Sequence, residues 1–272
     1  MKAAIEMVLK QNLKDLKLST MFSCLAEHLR QANEAHQSYE EFLLGLTETE
    51  LQVRAQHRLQ RRLRDAKFPL MKPLEDFQFE RAVGLDVRQI RQLCSCEYIE
   101  HHRNVILLGK SGTGKTHLAT SLGIEACKHG FRTRFVTGCS LANELLEARE
   151  ERMLSRLMKR YAGYDVLIVD ELGYVPFSKA GAELLFQVLA DRHERKSVIV
   201  TTNLGFAEWT QIFGEANLTA ALLDRITHRA SIINCSWDSY RLHETLKHTA
   251  ETSKSTPVKT STSQAVSAPQ KG

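Results

Sequence analysis

The chain has 272 residues, of which 43% are hydrophobic and 25% are charged, and these values are ordinary for a soluble globular protein of about two domains. Its formal net charge of +5 permits a nucleic-acid partner without requiring one. No apolar run is long enough for a membrane span, and the N-terminus lacks the apolar core of a signal peptide, so we expect a cytoplasmic protein that has no membrane partner.

Residues 1–67 are predicted to form a small helical domain that binds DNA or a protein partner. Apolar residues recur through this region at helical spacing, and no cluster of β-branched residues interrupts them. Pro69 and Pro73 mark the end of the helical region, because proline cannot continue a helix. Near that end, six basic residues stand against the single acid Asp65: Arg54, Arg58, Arg61, Arg62, Arg64 and Lys67.

Short apolar strands that alternate with helical stretches begin near residue 98. This alternation is typical of an α/β fold with a parallel, doubly wound sheet, so residues 68–248 are predicted to form an α/β domain. The predicted strands are 105–109, 132–137, 166–171, 197–203 and a last one in IINCS, and the predicted helices include one that ends at Gly130, one over 141–161 and one over 179–193. Residues 249–272 are rich in Ser, Thr, Lys and Pro, which predicts a disordered tail.

The strongest motif is a full G-x-x-x-x-G-K-T between the first predicted strand and the helix that follows it. Its glycines allow backbone N–H groups to surround phosphate oxygens, and the helix points its positive end at the same anion. Lys115 would reach the β- and γ-phosphates, and the Thr116 hydroxyl would hold Mg²⁺. The motif alone allows ATP or GTP; we expect ATP and Mg²⁺, with nucleotide contacts from Gly109, Lys110, Ser111, Gly112, Thr113, Gly114, Lys115, Thr116 and His117.

The run VLIVDE places two carboxylates at the carboxyl end of a buried strand, which is where open α/β sheets bind ligands. Asp170 would support the Mg²⁺, and Glu171 would orient or deprotonate the attacking water. The alternative for Glu171 is a solvated carboxylate that merely follows a strand.

Two further motifs contain polar residues that are candidates for contacts with the γ-phosphate. Asn203 ends the next strand and could position water there, or it could simply begin a turn. In LLDRITHRA, Arg225 and Arg229 lie one helical turn apart and can share a face. Arg225 is the preferred candidate for an arginine finger that completes the site of a neighbouring subunit, which requires a homo-oligomer. The alternative for both arginines is a surface salt bridge.

Together these motifs resemble one family, the AAA+ ATPases of the IstB/DnaC group, and most closely the IstB-type helper ATPases of insertion sequences. The resemblance is carried by GKSGTGKTHLA, VLIVDELGY, TTN, LLDRITHRA and WDSYR, and it covers nearly the whole chain before the tail. It implies an AAA+ P-loop ATPase core, a parallel sheet flanked by helices, preceded by a small all-α domain. The roles it implies are catalysis for Lys115, Glu171, Asn203 and Arg225, and metal binding for Thr116 and Asp170.

Members of the resembled family assemble on duplex DNA when ATP is bound, deform it and recruit a transposase. The resemblance therefore implies double-stranded DNA, a partner transposase and further copies of this chain as partners. After WDSYRL the sequence departs from the wider AAA+ pattern of a helical lid with a sensor II arginine, so the contacts of the adenine are unassigned. Phe77 and Phe79 fit either a place beside the base or plain packing.

Two basic segments compete for the DNA contacts. The first is the stretch 54–67, for which the alternative is a solvated helix face that offsets the acids upstream. The second contains Arg149, Arg152, Arg156, Lys159 and Arg160, interspersed with Glu144, Glu147, Glu150 and Glu151, and the resemblance favours it as the lining of the DNA path. No base-reading motif is present, so we expect salt-sensitive contacts to phosphates.

Three other functions stay open. A replicative-helicase loader of the DnaC kind shares the core and differs in its N-terminal domain. A small-metabolite kinase is disfavoured by Glu171, Asn203 and Arg225, and a nucleotide-gated scaffold would need only slow turnover. We expect ATP binding to assemble the complex and hydrolysis to release it, because an arginine acting in trans completes the site only when subunits meet.

Overall fold

The computed structural model describes residues 2–237 of the chain. The predicted tail over 249–272, the end of the predicted α/β domain at 248 and the last four residues of WDSYR lie outside the described residues. Within the described part, no helix is long and apolar enough to cross a membrane.

Three helices open the chain: α1 (Lys2–Asp15), α2 (Ser19–Glu34) and α3 (Tyr39–Ala66). Helix α3 starts with a capping box, in which Ser38 and Glu41 exchange hydrogen bonds between side chain and backbone. It is followed by Lys67 in a left-handed conformation (φ 60°), which turns the chain into the linker 68–81. The helical N-terminal region is thereby confirmed, whereas its division from the rest as a domain at residue 67 stays a prediction.

A buried carboxylate joins α2 to α3. Glu50 of α3 is 4% exposed and accepts the N–H groups of Thr20 and Met21, in the first turn of α2, at 2.8 and 2.9 Å. The Arg54 guanidinium donates to the same carboxylate at 2.7 Å. Burial alone would raise the pKa of Glu50, but these hydrogen bonds and the positive charge of Arg54 hold that pKa below its ordinary value. Glu50 therefore caps α2 from a neighbouring helix.

Five strands form one parallel sheet in the order β2-β3-β4-β1-β5. The strands are β1 (Val105–Leu108), β2 (Thr133–Thr137), β3 (Val166–Asp170), β4 (Ser197–Thr202) and β5 (Ser231–Asn234). Side chains alternate between the two faces: Val105 and Leu107 of β1 join one apolar core, and Ile106 joins the other. Both faces are thus covered, which explains why the strands are continuous apolar runs.

The remaining helices connect the strands and cover the sheet. They are α4 (Val87–Cys94), α5 (Glu97–Glu100), α6 (Lys115–Lys128), α7 (Gly138–Glu150), α8 (Leu154–Ala162), α9 (Lys179–Ala190), α10 (Thr210–Phe213) and α11 (Ala216–Thr227). The predicted fold class, a parallel sheet flanked by helices and preceded by a helical region, is confirmed. The predicted strands are correct to within one residue at each end for the first four, and the predicted helix ends lie up to three residues too far along the chain.

The prediction of one long helix over 141–161 was wrong. Helix α7 ends at Glu150, and Arg152 takes a left-handed conformation (φ 59°) before α8 begins. The N–H groups of Arg152 and Met153 bond back to Arg149 and Ala148, which is the Schellman arrangement that ends a helix. Glycine usually holds the left-handed position, so an arginine there gave no stop signal in the sequence. The second basic segment is therefore split between two helices.

The end of α3 packs directly on the sheet. Ala66 is fully buried, and the Phe68 ring meets the Phe135 ring of β2 edge-on at 6.3 Å between centroids. Gly123 of α6 leaves space for this ring, because a Cβ there would lie 2.7 Å from it. The linker that follows α3 thus packs on helix α6, which starts at the G-x-x-x-x-G-K-T loop (residues 109–116, the P-loop).

Candidate nucleotide-binding and catalytic site

The G-x-x-x-x-G-K-T loop spans the carboxyl end of β1 and the start of α6. Gly109 has φ 153°, and a Cβ there would lie 2.1 Å from the carbonyl oxygen of Cys235, which follows β5. Gly114 has φ 88°, and a Cβ there would lie 2.8 Å from the Phe77 ring of the linker. Neither position has room for a side chain, so the loop backbone can lie tightly between β5 and the linker.

Lys115 opens α6 and folds back over the loop. Its Nζ donates to the carbonyl oxygens of Gly109 and Lys110, both at 2.6 Å. This places the ammonium group above the loop backbone, where the β- and γ-phosphates of a nucleotide lie in P-loop proteins.

Asp170 ends β3 behind the cavity, which it does not line itself. It is 4% exposed, and the Thr116 hydroxyl lies 3.0 and 3.1 Å from its two carboxylate oxygens. A second hydroxyl, that of Thr201 on the adjacent strand β4, donates to Asp170 Oδ1 at 2.5 Å. The two predicted metal ligands are therefore together, and Thr201 is a contact that the sequence reasoning did not single out.

Glu171 leaves the strand in a left-handed conformation (φ 54°), which is uncommon for a residue other than glycine. Its N–H donates to the Thr201 hydroxyl at 2.9 Å. The Thr201 side chain therefore contacts both the carboxylate of Asp170 and the backbone of Glu171. The Glu171 side chain is exposed and lines the same cavity as Asn203, which follows β4. The predicted carboxylate and the predicted polar sensor thus face a common space.

That space is a cavity of about 820 Å³ with two distinct walls. One wall is the loop with Glu171 and Asn203; the other is formed by the linker, with Asp76, Phe77 and Arg81 among its lining residues. Phe77 lines the cavity. Phe79 does not line the cavity; its ring packs against that of Phe77, with 5.0 Å between the ring centroids.

Two side chains of α6 fasten the linker wall. His117 Nε2 donates to the Pro73 carbonyl at 3.0 Å, and Ser121 Oγ donates to that of Lys72 at 2.9 Å. His117, which we expected to contact nucleotide, lines the cavity while its ring holds the linker.

Trp237, the first residue of WDSYR, connects the chain after β5 to the P-loop. Its indole N–H donates to the Thr113 carbonyl at 2.9 Å, and its ring lines the nucleotide cavity. The WDSYR motif is part of the resemblance, and the structure gives its first residue a direct contact with the loop.

Arg225 is not among the residues that line the cavity. It lies on α11 with its guanidinium 5.2 Å from the centre of the Phe186 ring, and it donates to the Ala221 carbonyl at 2.8 Å. Arg229 is exposed after the end of α11. Within one chain, Arg225 and the P-loop are therefore not brought together.

The two basic segments meet beside strand β2. A cleft of about 390 Å³ is lined by residues on or next to α3, β2, α7 and α8, namely Arg62, Asp65, Lys67, Arg132, Thr133, Arg134, Glu144, Arg160 and Tyr164. Five of these are cations and two are acids, and Arg160 is paired with Glu144. Arg132 and Arg134 belong to neither predicted segment. Their place in the cleft could not be predicted, because the local sequence does not show which helices pack beside β2.

The other candidate DNA contacts differ in how free they are. Arg54 is bound to Glu50 and to the Lys17 carbonyl, so it serves the packing of the N-terminal helices. The remaining ones are exposed: Arg58, Arg61, Arg64, Arg149, Arg152, Arg156 and Lys159.

Comparison with known proteins identifies relatives over most of the chain. The family model described as IstB-like ATP binding protein matches residues 11–248. A protein of insertion sequence IS21 from Pseudomonas aeruginosa, named for ATP binding, is 37% identical over 90% of this chain and 93% of its own length. A protein of insertion sequence IS5376 from Geobacillus stearothermophilus, named in the same way, is 37% identical over 84% of this chain and 89% of its own.

Among solved structures, AMPPCP-bound DnaA from Aquifex aeolicus aligns with a TM-score of 0.54 and covers 68% of this chain and 56% of that one. Its sequence identity is 18%, so this likeness shows the fold alone.

Replacing Trp237 with Phe should weaken nucleotide binding about two- to tenfold, since the variant cannot make the indole hydrogen bond to the P-loop. Titration with a fluorescent ATP analogue measures this affinity. Trp209→Phe is the matched control, because Trp209 is buried and its indole N–H has no hydrogen-bond partner in the described structure. An equal decrease of affinity in both variants would contradict a specific role for Trp237.

Proposed function

Because this chain belongs to the family of IstB-like ATP binding proteins, we propose that it is a Mg²⁺-dependent ATPase that assembles on duplex DNA and recruits a partner transposase to a target site. The observation that carries the hydrolytic part is the placement of Glu171: it faces the cavity beside Asp170, and Thr201 contacts both. The link to transposition rests on relatives that belong to insertion sequences.

The donor set at Asp170 fits Mg²⁺. Thr116 and Asp170 offer a hydroxyl and a carboxylate, hard oxygen ligands of the kind that Mg²⁺ prefers, within 3.1 Å of each other. When bound there, the ion would neutralise charge on the β- and γ-phosphates. Lys115, whose Nζ lies against the Gly109 and Lys110 carbonyls, would bind the same phosphates.

The chain's own residues divide the hydrolytic work. The Glu171 carboxylate would orient the attacking water and accept its proton as the water oxygen bonds to the γ-phosphorus. The bond from that phosphorus to the bridging oxygen breaks in the same step, so ADP leaves with that oxygen. Asn203 would hold that water or a γ-phosphate oxygen through its amide. Both side chains end at the same cavity and follow adjacent parallel strands, which supports a joint role.

Arg225 would act in a neighbouring subunit. It is absent from the lining of the cavity in its own chain, yet it lies on a helix that ends near the surface. A site that needs an arginine from another copy is complete only in an oligomer, which couples hydrolysis to assembly.

The cleft beside β2 supports phosphate binding. It gathers cations from α3, β2 and α8 at one place, so the two basic segments would serve a single DNA path. Contacts of guanidinium groups to phosphates give affinity without sequence readout.

We expect long labelled duplex DNA to bind tightly in ATP and weakly in ADP or without nucleotide, as measured by fluorescence anisotropy. Glu171→Gln should prolong the ATP-bound complex, because the nucleotide is trapped before hydrolysis. Lys115→Ala is the control that should lose the ATP effect. Weaker DNA binding by Glu171→Gln, or binding that is indifferent to nucleotide, would overturn the proposed switch.

The double change Arg62→Gln with Arg134→Gln should lower DNA affinity and reduce the slope of log K against log salt by about 0.9 for each DNA phosphate that the variant leaves unneutralised. The same anisotropy assay at several salt concentrations gives the slope. Arg30→Gln is the control, since Arg30 is exposed on α2 and paired with Glu27 and Glu34. A slope equal to that of the unchanged protein would exclude the cleft as a DNA-binding surface.

Arg225→Ala should reduce DNA-stimulated release of phosphate about 10³-fold or more if the arginine acts as a finger. Mixing this variant with Lys115→Ala chains, themselves inactive, should restore part of the activity, because one chain supplies the arginine and the other the P-loop. Mixtures that stay inactive would refute the action in trans.

A further inference from the structure

Three side chains of the kinds that bind metals converge where α9 and α11 end, outside the nucleotide cavity. His193 and Glu194 follow α9, and His228 directly follows α11. One ring nitrogen of each histidine and a carboxylate oxygen of Glu194 all lie within 4.8 Å of one another. No other group of three such side chains occurs in the part of the chain that the structure describes.

The carbonyl oxygen of Arg225 sets the tautomer of His193. Its Nδ1 donates to the carbonyl oxygen of Arg225 at 3.0 Å, so Nε2 carries the free lone pair. Histidines that bind metals commonly donate their other ring nitrogen to a carbonyl or carboxylate in this way, which sets the tautomer and the direction of the lone pair.

The distances suit a shared ion. His228 Nδ1 lies 3.8 Å from Glu194 Oε1, and ligands of one tetrahedral zinc ion lie about 3.3 Å apart, given metal–ligand bonds of about 2.0 Å. The two imidazole rings are 5.4 Å apart and tilted by 55°, so they do not stack face to face. Side-chain rotations that shorten these separations from at most 4.8 Å to about 3.3 Å would complete the coordination.

The helix ends also favour a cation. Helices α9 and α11 both terminate next to the cluster, and the carboxyl end of a helix carries a partial negative charge. Glu194 adds a full negative charge when it is ionised.

We propose that His193, Glu194 and His228 bind a divalent transition-metal ion, with Zn²⁺ as the best match. Two imidazoles and one carboxylate are a zinc-binding set that leaves one position for water. The bound ion would fasten the end of α11 to the segment after α9. Since Arg225 lies on α11 and its carbonyl is held by His193, the ion would also fix the helix of the proposed finger; that consequence alone rests on the proposed function.

The test measures metal binding by the full chain, freed of any affinity tag and of bound metal, without ATP or DNA. Titration with ZnCl₂ in a calorimeter should give one site that is weakened more than about tenfold in His228→Ala. The exposed His57 provides the control His57→Ala, which should bind as the unchanged protein does. Glu194→Gln, which keeps the shape of an exposed side chain, should also weaken the site and guards against a folding defect in His228→Ala.

Cobalt(II) distinguishes this site from the free cysteines, of which Cys24, Cys94 and Cys139 are partly exposed. Binding to the proposed ligands gives visible bands without a thiolate-to-cobalt charge-transfer band. Zn²⁺ should also raise the melting temperature of the unchanged protein and not that of His228→Ala, because an ion that binds only the folded state stabilises it.

Equal zinc affinity in His228→Ala, Glu194→Gln and the unchanged protein would overturn the proposal, and so would a thiolate charge-transfer band that persists in these variants. These readouts require neither nucleotide nor DNA, so their failure would leave ATP hydrolysis and DNA assembly to be judged by their own assays.

Discussion

One buried carboxylate organises the nucleotide site. Asp170 ends strand β3 and accepts hydrogen bonds from Thr116 at the start of α6 and from Thr201 on the adjacent strand β4. Burying a carboxylate costs free energy unless its oxygens are hydrogen-bonded, and these two hydroxyls meet that need. The Thr201 hydroxyl also accepts the N–H of Glu171, so Thr201 fixes the backbone of Glu171 as well as the carboxylate of Asp170. Strand pairing, the position of the Asp170 carboxylate beside Thr116 and the direction of Glu171 therefore depend on one another.

The sequence predicted the parts of this site that local rules determine. A glycine-rich loop between strand and helix, an acid pair after an apolar run and a polar residue after the next strand all project at the same edge of a parallel sheet. The resemblance to IstB-type ATPases is confirmed by the family match. The errors within this site are small: strands β3 and β4 end at Asp170 and Thr202, one residue before the predicted ends at Glu171 and Asn203.

What the sequence could not predict depends on contacts between distant segments. The linker forms a cavity wall only because His117 and Ser121 bind its carbonyls, and such bonds leave no periodic pattern. Arg132 and Arg134 lie between the two basic segments because β2 is an edge strand. The order of strands in a sheet cannot be predicted from the local spacing of residues. The break after α7 was missed because an arginine took the conformation that glycine normally marks.

The linker also determines how this protein can be recombined with its relatives. It continues directly from α3, yet it contacts helix α6 and Gly114, so by packing it belongs to the α/β core. A chimera that exchanged the N-terminal helices at the proline-rich junction would have to keep residues 68–81 with the core that they match. An exchange after residue 81 would instead combine the linker of one protein with the P-loop of another. The closest contact at risk would be that between the Phe77 ring and Gly114, where a Cβ would lie 2.8 Å from the ring.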